Sequence, residues 1–205
     1  MAKLNILALI AGIASLVLIA VSVFVPWWQF TVGNPKPLAQ VNFSPLNFNM
    51  NLLGTSITTP LIFALNLACF LTLLSGSIVM IIYSVKPNKS YSKKLLGFGW
   101  TKPLYAVILF VVEIVILVVL ANMFVGFKLP INGAATVQPP SGMLPGNMNL
   151  AVNVFAYFQW PFYISIAVAA LSVAARIYHR KIPIDVASQS TPQPQLPSKS
   201  RINIF

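Results

Sequence analysis

Acidic side chains are nearly missing from this chain. Glu113 and Asp185 are the only two among 205 residues, against 13 lysines and arginines. With so few acids there is no paired-carboxylate arrangement for acid–base catalysis. Cys69 is the only cysteine, which excludes an intrachain disulfide and a multi-cysteine zinc site. His179 is the only histidine and cannot supply both axial ligands of a haem. No Ser-His-acid set, phosphate-cradling Gly-Lys loop or metal-ligand spacing is visible. The expectation is a protein that is not an enzyme and carries no cofactor.

Charge of either sign is also scarce, at 7% of residues, while 58% are hydrophobic and the mean hydropathy is +0.83. Soluble domains carry roughly 25% charged residues, so this composition cannot cover a water-facing surface. The solvent must be mostly lipid. The formal charge of +11 might point to nucleic acid, but the basic residues form short clusters beside apolar runs. No aromatic-basic surface tracks a phosphate backbone, and nucleic acid is not expected as a partner.

What is present is a set of long apolar runs. A bilayer crossing takes about 20 such residues. Four segments qualify, at about 4–28, 60–85, 103–125 and 157–178. Pro26, Pro60, Pro103 and Pro161 fall near their ends, where a missing N–H costs little. The fold class expected is therefore an all-α membrane protein: one domain over 1–181, a four-transmembrane-helix bundle with outer loops at 29–59 and 126–156. The first run is too long for a signal-peptide core and is expected to remain as a helix. The tail at 182–205, rich in Pro, Gln and Ser, cannot build a core and is expected to be disordered.

Lysine and arginine set the expected orientation. The stretch between the second and third spans holds Lys86, Lys89, Lys93, Lys94 and Lys102, and the fourth span ends in Arg176, Arg180 and Lys181. The other two loops hold one lysine each, Lys36 and Lys128. Both termini and the middle loop are thus expected in the cytoplasm of a multi-pass cell-membrane protein. His179, among basic residues, reads as part of a solvated face. Arg176 reads as a snorkelling anchor. Gly12, Ala64, Ala68, Gly76, Ala170 and Ala174 recur at roughly one-turn spacing and suit close helix packing.

The outer loops alternate in polarity. Leu46, Phe48, Met50 and Leu52 interleave with Asn47, Asn49 and Asn51, and 146–154 repeats the pattern with Met148, Leu150, Val152 and Val154. A period of two predicts strands, and the two segments are expected to pair in a small extracellular β-sheet. The tetrapeptide NMNL occurs at 49–52 and 147–150, an offset consistent with either a duplicated helix–loop–helix unit or convergence. Trp27, Trp28, Phe48, Met50, Met148 and Leu150 form the expected partner surface. Neither outer loop holds an acid. Amides do not titrate, so the surface reads as one facing acid, as in an acidophilic archaeon.

Glu113 interrupts the run VVEIVIL about ten residues from Pro103, or roughly 15 Å into the bilayer. An acid at that depth is a functional-site candidate and is expected to face the bundle interior as a neutral carboxyl group. Ser15, Thr72, Ser75, Ser165 and Ser172 are candidate partners at similar depth, with Asn66 nearer the outer side. Three roles remain open: a hydrogen bond to a neighbouring helix, a contact to another subunit, and a proton or cation relay.

The layout and Pro26-Trp27-Trp28 at the end of the first span resemble the claudin-like four-span (tetraspan) proteins. That resemblance implies four spans, cytoplasmic ends and an outer sheet built largely from the first outer loop. The family's W-x(n)-G-L-W-x-x-C-x(n)-C pattern and its disulfide are absent. The function expected is a non-enzymatic subunit or scaffold whose partners are the lipid bilayer and other membrane subunits or a second copy of itself. The alternatives are an accessory subunit of a redox membrane complex, with Glu113 near a proton or quinone path, and an independent channel or transporter.

Overall fold

The computed structural model describes residues 4–33, 37, 39–52, 55–57, 60–87, 89, 91–125, 128–138 and 151–179. Helix α1 (Ile6–Val21) leads into strands β1 (Trp28–Val32), β2 (Ala39–Ser44), β3 (Asn47–Leu52) and β4 (Thr55–Ile57). Helices α2 (Pro60–Val85), α3 (Ser92–Gly99) and α4 (Thr101–Val125) follow, then β5 (Gly133–Val137), β6 (Val152–Phe158) and α5 (Trp160–His179). The six strands form one antiparallel sheet in the order β4-β3-β2-β1-β6-β5. Four of them come from the first loop and two from the second.

Among the described residues, three helical stretches are long and apolar enough to cross a membrane: Ile62–Val85, Ser92–Met123 and Trp160–His179. The first helix is apolar but shorter, at 16 residues. That is about 24 Å, against roughly 30 Å of hydrocarbon. Its sequence-predicted extent to residue 28 is therefore corrected. Ser22 closes the helix: its Oγ donates to Leu18 O at 2.6 Å and accepts from Trp27 Nε1 at 2.7 Å. Pro26 has no N–H with which to continue the helix. The Trp27 N–H instead donates to Phe43 O at 2.8 Å, which turns the chain into the sheet.

Two other limits move. The lysine-rich stretch expected as a loop contains α3, and the Trp100 N–H donates to Leu96 O at 3.1 Å across the junction with α4. The fourth helix starts at Trp160, because Tyr157 and Phe158 belong to β6. Residues 47–52 and, of the second alternating segment, the described residues 152–154 enter one sheet, but β3 and β6 do not pair; β2 and β1 lie between them. The second NMNL lies outside the described residues.

Register gives the sheet two unlike faces. Trp28 pairs with Phe43 and Phe158, and Phe30 pairs with Val41 and Ala156. One residue along, Gln29 pairs with Asn42 and Tyr157, and Asn153 pairs with Thr136. Alternation across the pleat thus makes one face apolar and the other rich in amides and hydroxyls. Gly33, at φ 91°, ends β1 in a backbone region that favours glycine. The apolar face packs on α4: Phe110, Ile114 and Val118 share a core with Trp27, Trp28, Phe43, Val154 and Ala156.

The helices pack closely where glycines allow it. A Cβ on Gly12 would lie 2.6 Å from Ile81 Cγ1, and one on Gly76 would lie 2.7 Å from Lys102 Cβ. Ala64, Ala68 and Ala170 are exposed rather than packed, so only part of the small-residue series serves helix contacts. A second core holds the basic end together, with Ala8, Ala11, Met80, Tyr83, Leu96 and Ala175. The helices do not end level. Phe110 touches Trp27 (ring centroids 4.9 Å) and Phe162 (6.0 Å), both near the sheet-side ends of their segments. From Phe110 to Val125, α4 rises about 22 Å further.

Candidate functional site

Two buried polar groupings stand out, one at each end of the bundle. The first contains Glu113. It is 2% exposed, on the same face of α4 as Phe110, and neither carboxylate oxygen has a hydrogen-bond partner. Asn66, on α2, is 4% exposed, and both its amide oxygen and its amide nitrogen are unpartnered. Ser15 Oγ is the remaining buried side-chain polar atom without a partner among the described residues.

Helical register places the first two at one level. On the adjoining faces of α2 and α4, Gly76 lies against Lys102 and Pro103, and Cys69 Sγ donates to Ala106 O at 3.3 Å. The helices therefore run antiparallel. Asn66 is one turn beyond Cys69 on α2, and Glu113 is two turns beyond Ala106 on α4, both toward the sheet. Extrapolating from these contacts, their axial offset is about 6 Å or less. Ser15 is not part of this level. Gly12 packs at Ser77 and Ile81, so Ser15 sits about 12 Å or more toward the basic end.

The other serines and threonines predicted beside Glu113 are not brought to it. Thr72 Oγ1 donates to Ala68 O, Ser75 Oγ to Thr72 O, Ser165 Oγ to Phe162 O and Ser172 Oγ to Val168 O. Each closes a bond within its own helix, the usual outlet for a hydroxyl in apolar surroundings. Nor is Glu113 reached from outside the chain, since it is enclosed by this chain's own residues.

The expected partner surface is also revised. Trp27 and Trp28 are buried, at 0% and 1% exposure, and belong to the core beneath the sheet. Trp28 Nε1 donates to Ile131 O at 2.8 Å and ties the second loop to the first. Large amphipathic rings with a donor to satisfy suit that place better than open solvent. Phe48 and Met50 pair across the strands with Phe43 and Val41. Met148 and Leu150 lie outside the described residues.

The second grouping contains His179, which the sequence places on a solvated face. His179 is buried, and its Nδ1 is 2.7 Å from Tyr83 Oη. The same hydroxyl accepts from Asn5 Nδ2 at 3.0 Å, and Asn5 Oδ1 caps α1 by accepting from the Ala8 N–H at 3.1 Å. The Asn5 N–H donates to Ser84 O at 3.2 Å. Three side chains thus join α1, α2 and α5 at the basic end, beside Arg176 and Lys93. The signal was present in the sequence: all three polar residues sit at the same end of their apolar runs. Periodicity alone does not show that they converge.

Among the described residues, no group of three or more metal-ligating side chains occurs. No family model matches this chain, and no curated protein matches it either.

Proposed function

We propose that this chain is a non-enzymatic, multi-pass membrane subunit or scaffold that organises partner proteins. In this reading α1, α2, α3–α4 and α5 form four spans, the basic end faces the cytoplasm, and the sheet stands outside. The concentration of lysine and arginine at one end supports the orientation. A layout with four of six strands in the first loop is similar to that of claudin-like proteins, which supports the four-span arrangement.

The observation that carries the reading is the uncovered face of α4 beside the sheet. An open sheet edge in hydrocarbon leaves backbone groups unpaired, at several kcal/mol per group, so the sheet belongs outside the lipid core. α4 packs on the sheet through Phe110, Ile114 and Val118. Its opposite side exposes Val112, Val115, Ile116, Val119, Leu120 and Met123, the last at 76%. We read this apolar face, beside the sheet, as the surface that a partner's apolar helix covers.

The test is oxidative crosslinking of single cysteines at Ile116, Val119 and Met123, in a Cys69→Ala background, in native membranes. A discrete adduct in stoichiometric yield is the expected result, and its mass identifies a second copy or a different subunit. Labelling of all three only by lipid-phase reagents would place this face in hydrocarbon and defeat the reading.

A second reading, an accessory subunit of a redox membrane complex, is favoured by the buried, unpartnered Glu113. Glu113→Gln separates the two. A scaffold keeps its partners, whereas a proton path loses turnover in the isolated complex.

A further inference from the structure

Glu113 and Asn66 together leave four polar atoms without partners, and the four are chemically complementary. A protonated carboxyl group has one donor and one acceptor on adjacent oxygens. A primary amide has one acceptor and a donor in the same relation. Joined face to face, O–H to amide oxygen and amide N–H to carbonyl oxygen, they satisfy all the unpartnered atoms of these two residues without help from a third group. The register described above puts the two residues on adjoining faces of α2 and α4, at the base of the sheet.

We infer that Glu113 and Asn66 form a buried proton-binding site in which Glu113 is held as a neutral acid, reciprocally hydrogen-bonded to the Asn66 amide. An ionised Glu113 would need a buried positive charge beside it, because an isolated carboxylate in apolar surroundings is prohibitively costly. No lysine, arginine or histidine lies on the sheet-side halves of α2, α4 or α5. Cys69 is the other titratable group on the adjoining face, and its Sγ is already engaged with Ala106 O. Tyr157 in β6 and Tyr163 on α5 are exposed and turned away.

A metal cation fits less well than a proton. It would draw on the two carboxylate oxygens and one amide oxygen, fewer than the roughly six to eight that hard cations take. It would also leave the Asn66 N–H₂ without an acceptor. The backbone carbonyls of both helices are occupied by helical hydrogen bonds. The clasp joins α2 to α4 at the base of the sheet, so its proton is a structural part of that end of the molecule.

Infrared spectroscopy of the full chain in an ester-free detergent tests the proposal. With two acids in the whole sequence, a neutral-acid carbonyl band can come from few sources. Wild type at neutral pH should show this band at the position of a strongly hydrogen-bonded acid, and Glu113→Gln should remove it. Asn66→Leu should move it to the position of a free acid. Asn66→Gln, which keeps the amide but displaces it by one methylene, should move it part of the way and guards against misfolding of the leucine variant. Carboxylate bands from Glu113 at neutral pH, or a band that responds to sodium, would replace the proton with a cation and overturn the inference. A neutral band at the free-acid position in wild type, or one indifferent to both Asn66 variants, would overturn the pairing.

Discussion

At the scale of single residues, the stability of this molecule rests on a few sites where space or polarity is tightly matched. Gly76 has Lys102 Cβ and Pro103 Cδ within 3.1 Å of where a Cβ would lie. Gly76→Val should therefore destabilise the α2–α4 contact by roughly 1–3 kcal/mol, seen as a lower melting temperature in detergent. Tyr83 is the centre of the other match. Tyr83→Phe keeps the ring and removes the hydroxyl, leaving Asn5 Nδ2 and His179 Nδ1 buried with a lost partner. A cost of about 1–3 kcal/mol is expected in the same assay. These two sites differed in how easily they could be read. Gly76 was legible because a glycine in an apolar run has few uses other than close approach. The Tyr83 cluster was not, because its members are 78 and 96 residues apart and each looks ordinary in its own segment. Asn66 was seen only as a possible neighbour of Glu113, since depth along a run does not reveal which face two residues share.

At the scale of elements, hydropathy located the long helices and misjudged their ends. The run from α1 into Val23, Phe24, Val25 and Pro26-Trp27-Trp28 is apolar throughout, so transfer energy alone cannot mark where helix gives way to strand. What decides it is hydrogen bonding: Ser22 closes the helix and Trp27 bonds to β2. β1 and β2 escaped notice for a related reason, being 5 and 6 residues long and lying among prolines and amides. The sheet-side part of α4 carries its own prediction. Ile116→Lys and Val119→Lys change exposed positions, so each should alter the melting of the isolated chain by no more than about 0.5 kcal/mol. Both should abolish the crosslinked adduct expected from a cysteine at Met123. If the adduct survives both charges, this face of α4 is not where a partner binds.

At the scale of the whole molecule, the sequence conveyed a membrane solvent and a single packed unit, because both follow from composition and run length. It also conveyed a charge bias along the bundle axis. The proposed orientation is tested by single cysteines in place of Lys93 and Lys128, both exposed, in a Cys69→Ala background. A membrane-impermeant maleimide applied to intact cells should label position 128 and should reach position 93 only after permeabilisation. The opposite pattern would invert the molecule and place the sheet in the cytoplasm.

The Asn5–Tyr83–His179 network has a consequence for chain order. It holds the beginning of the described chain against its end: Asn5 Nδ2 lies 3.5 Å from Ala175 O, one helical turn before His179. The N- and C-terminal ends of the packed unit are therefore neighbours, while Lys89, between α2 and α3, is exposed. Joining residue 179 to residue 5 through a short flexible linker and opening the chain at Lys89 would give a circular permutant that preserves every helix and strand. It would present the α3–α4–β5–β6–α5 half first and the α1–β1–β2–β3–β4–α2 half second, so that membrane insertion could be followed with the two halves synthesised in reverse order.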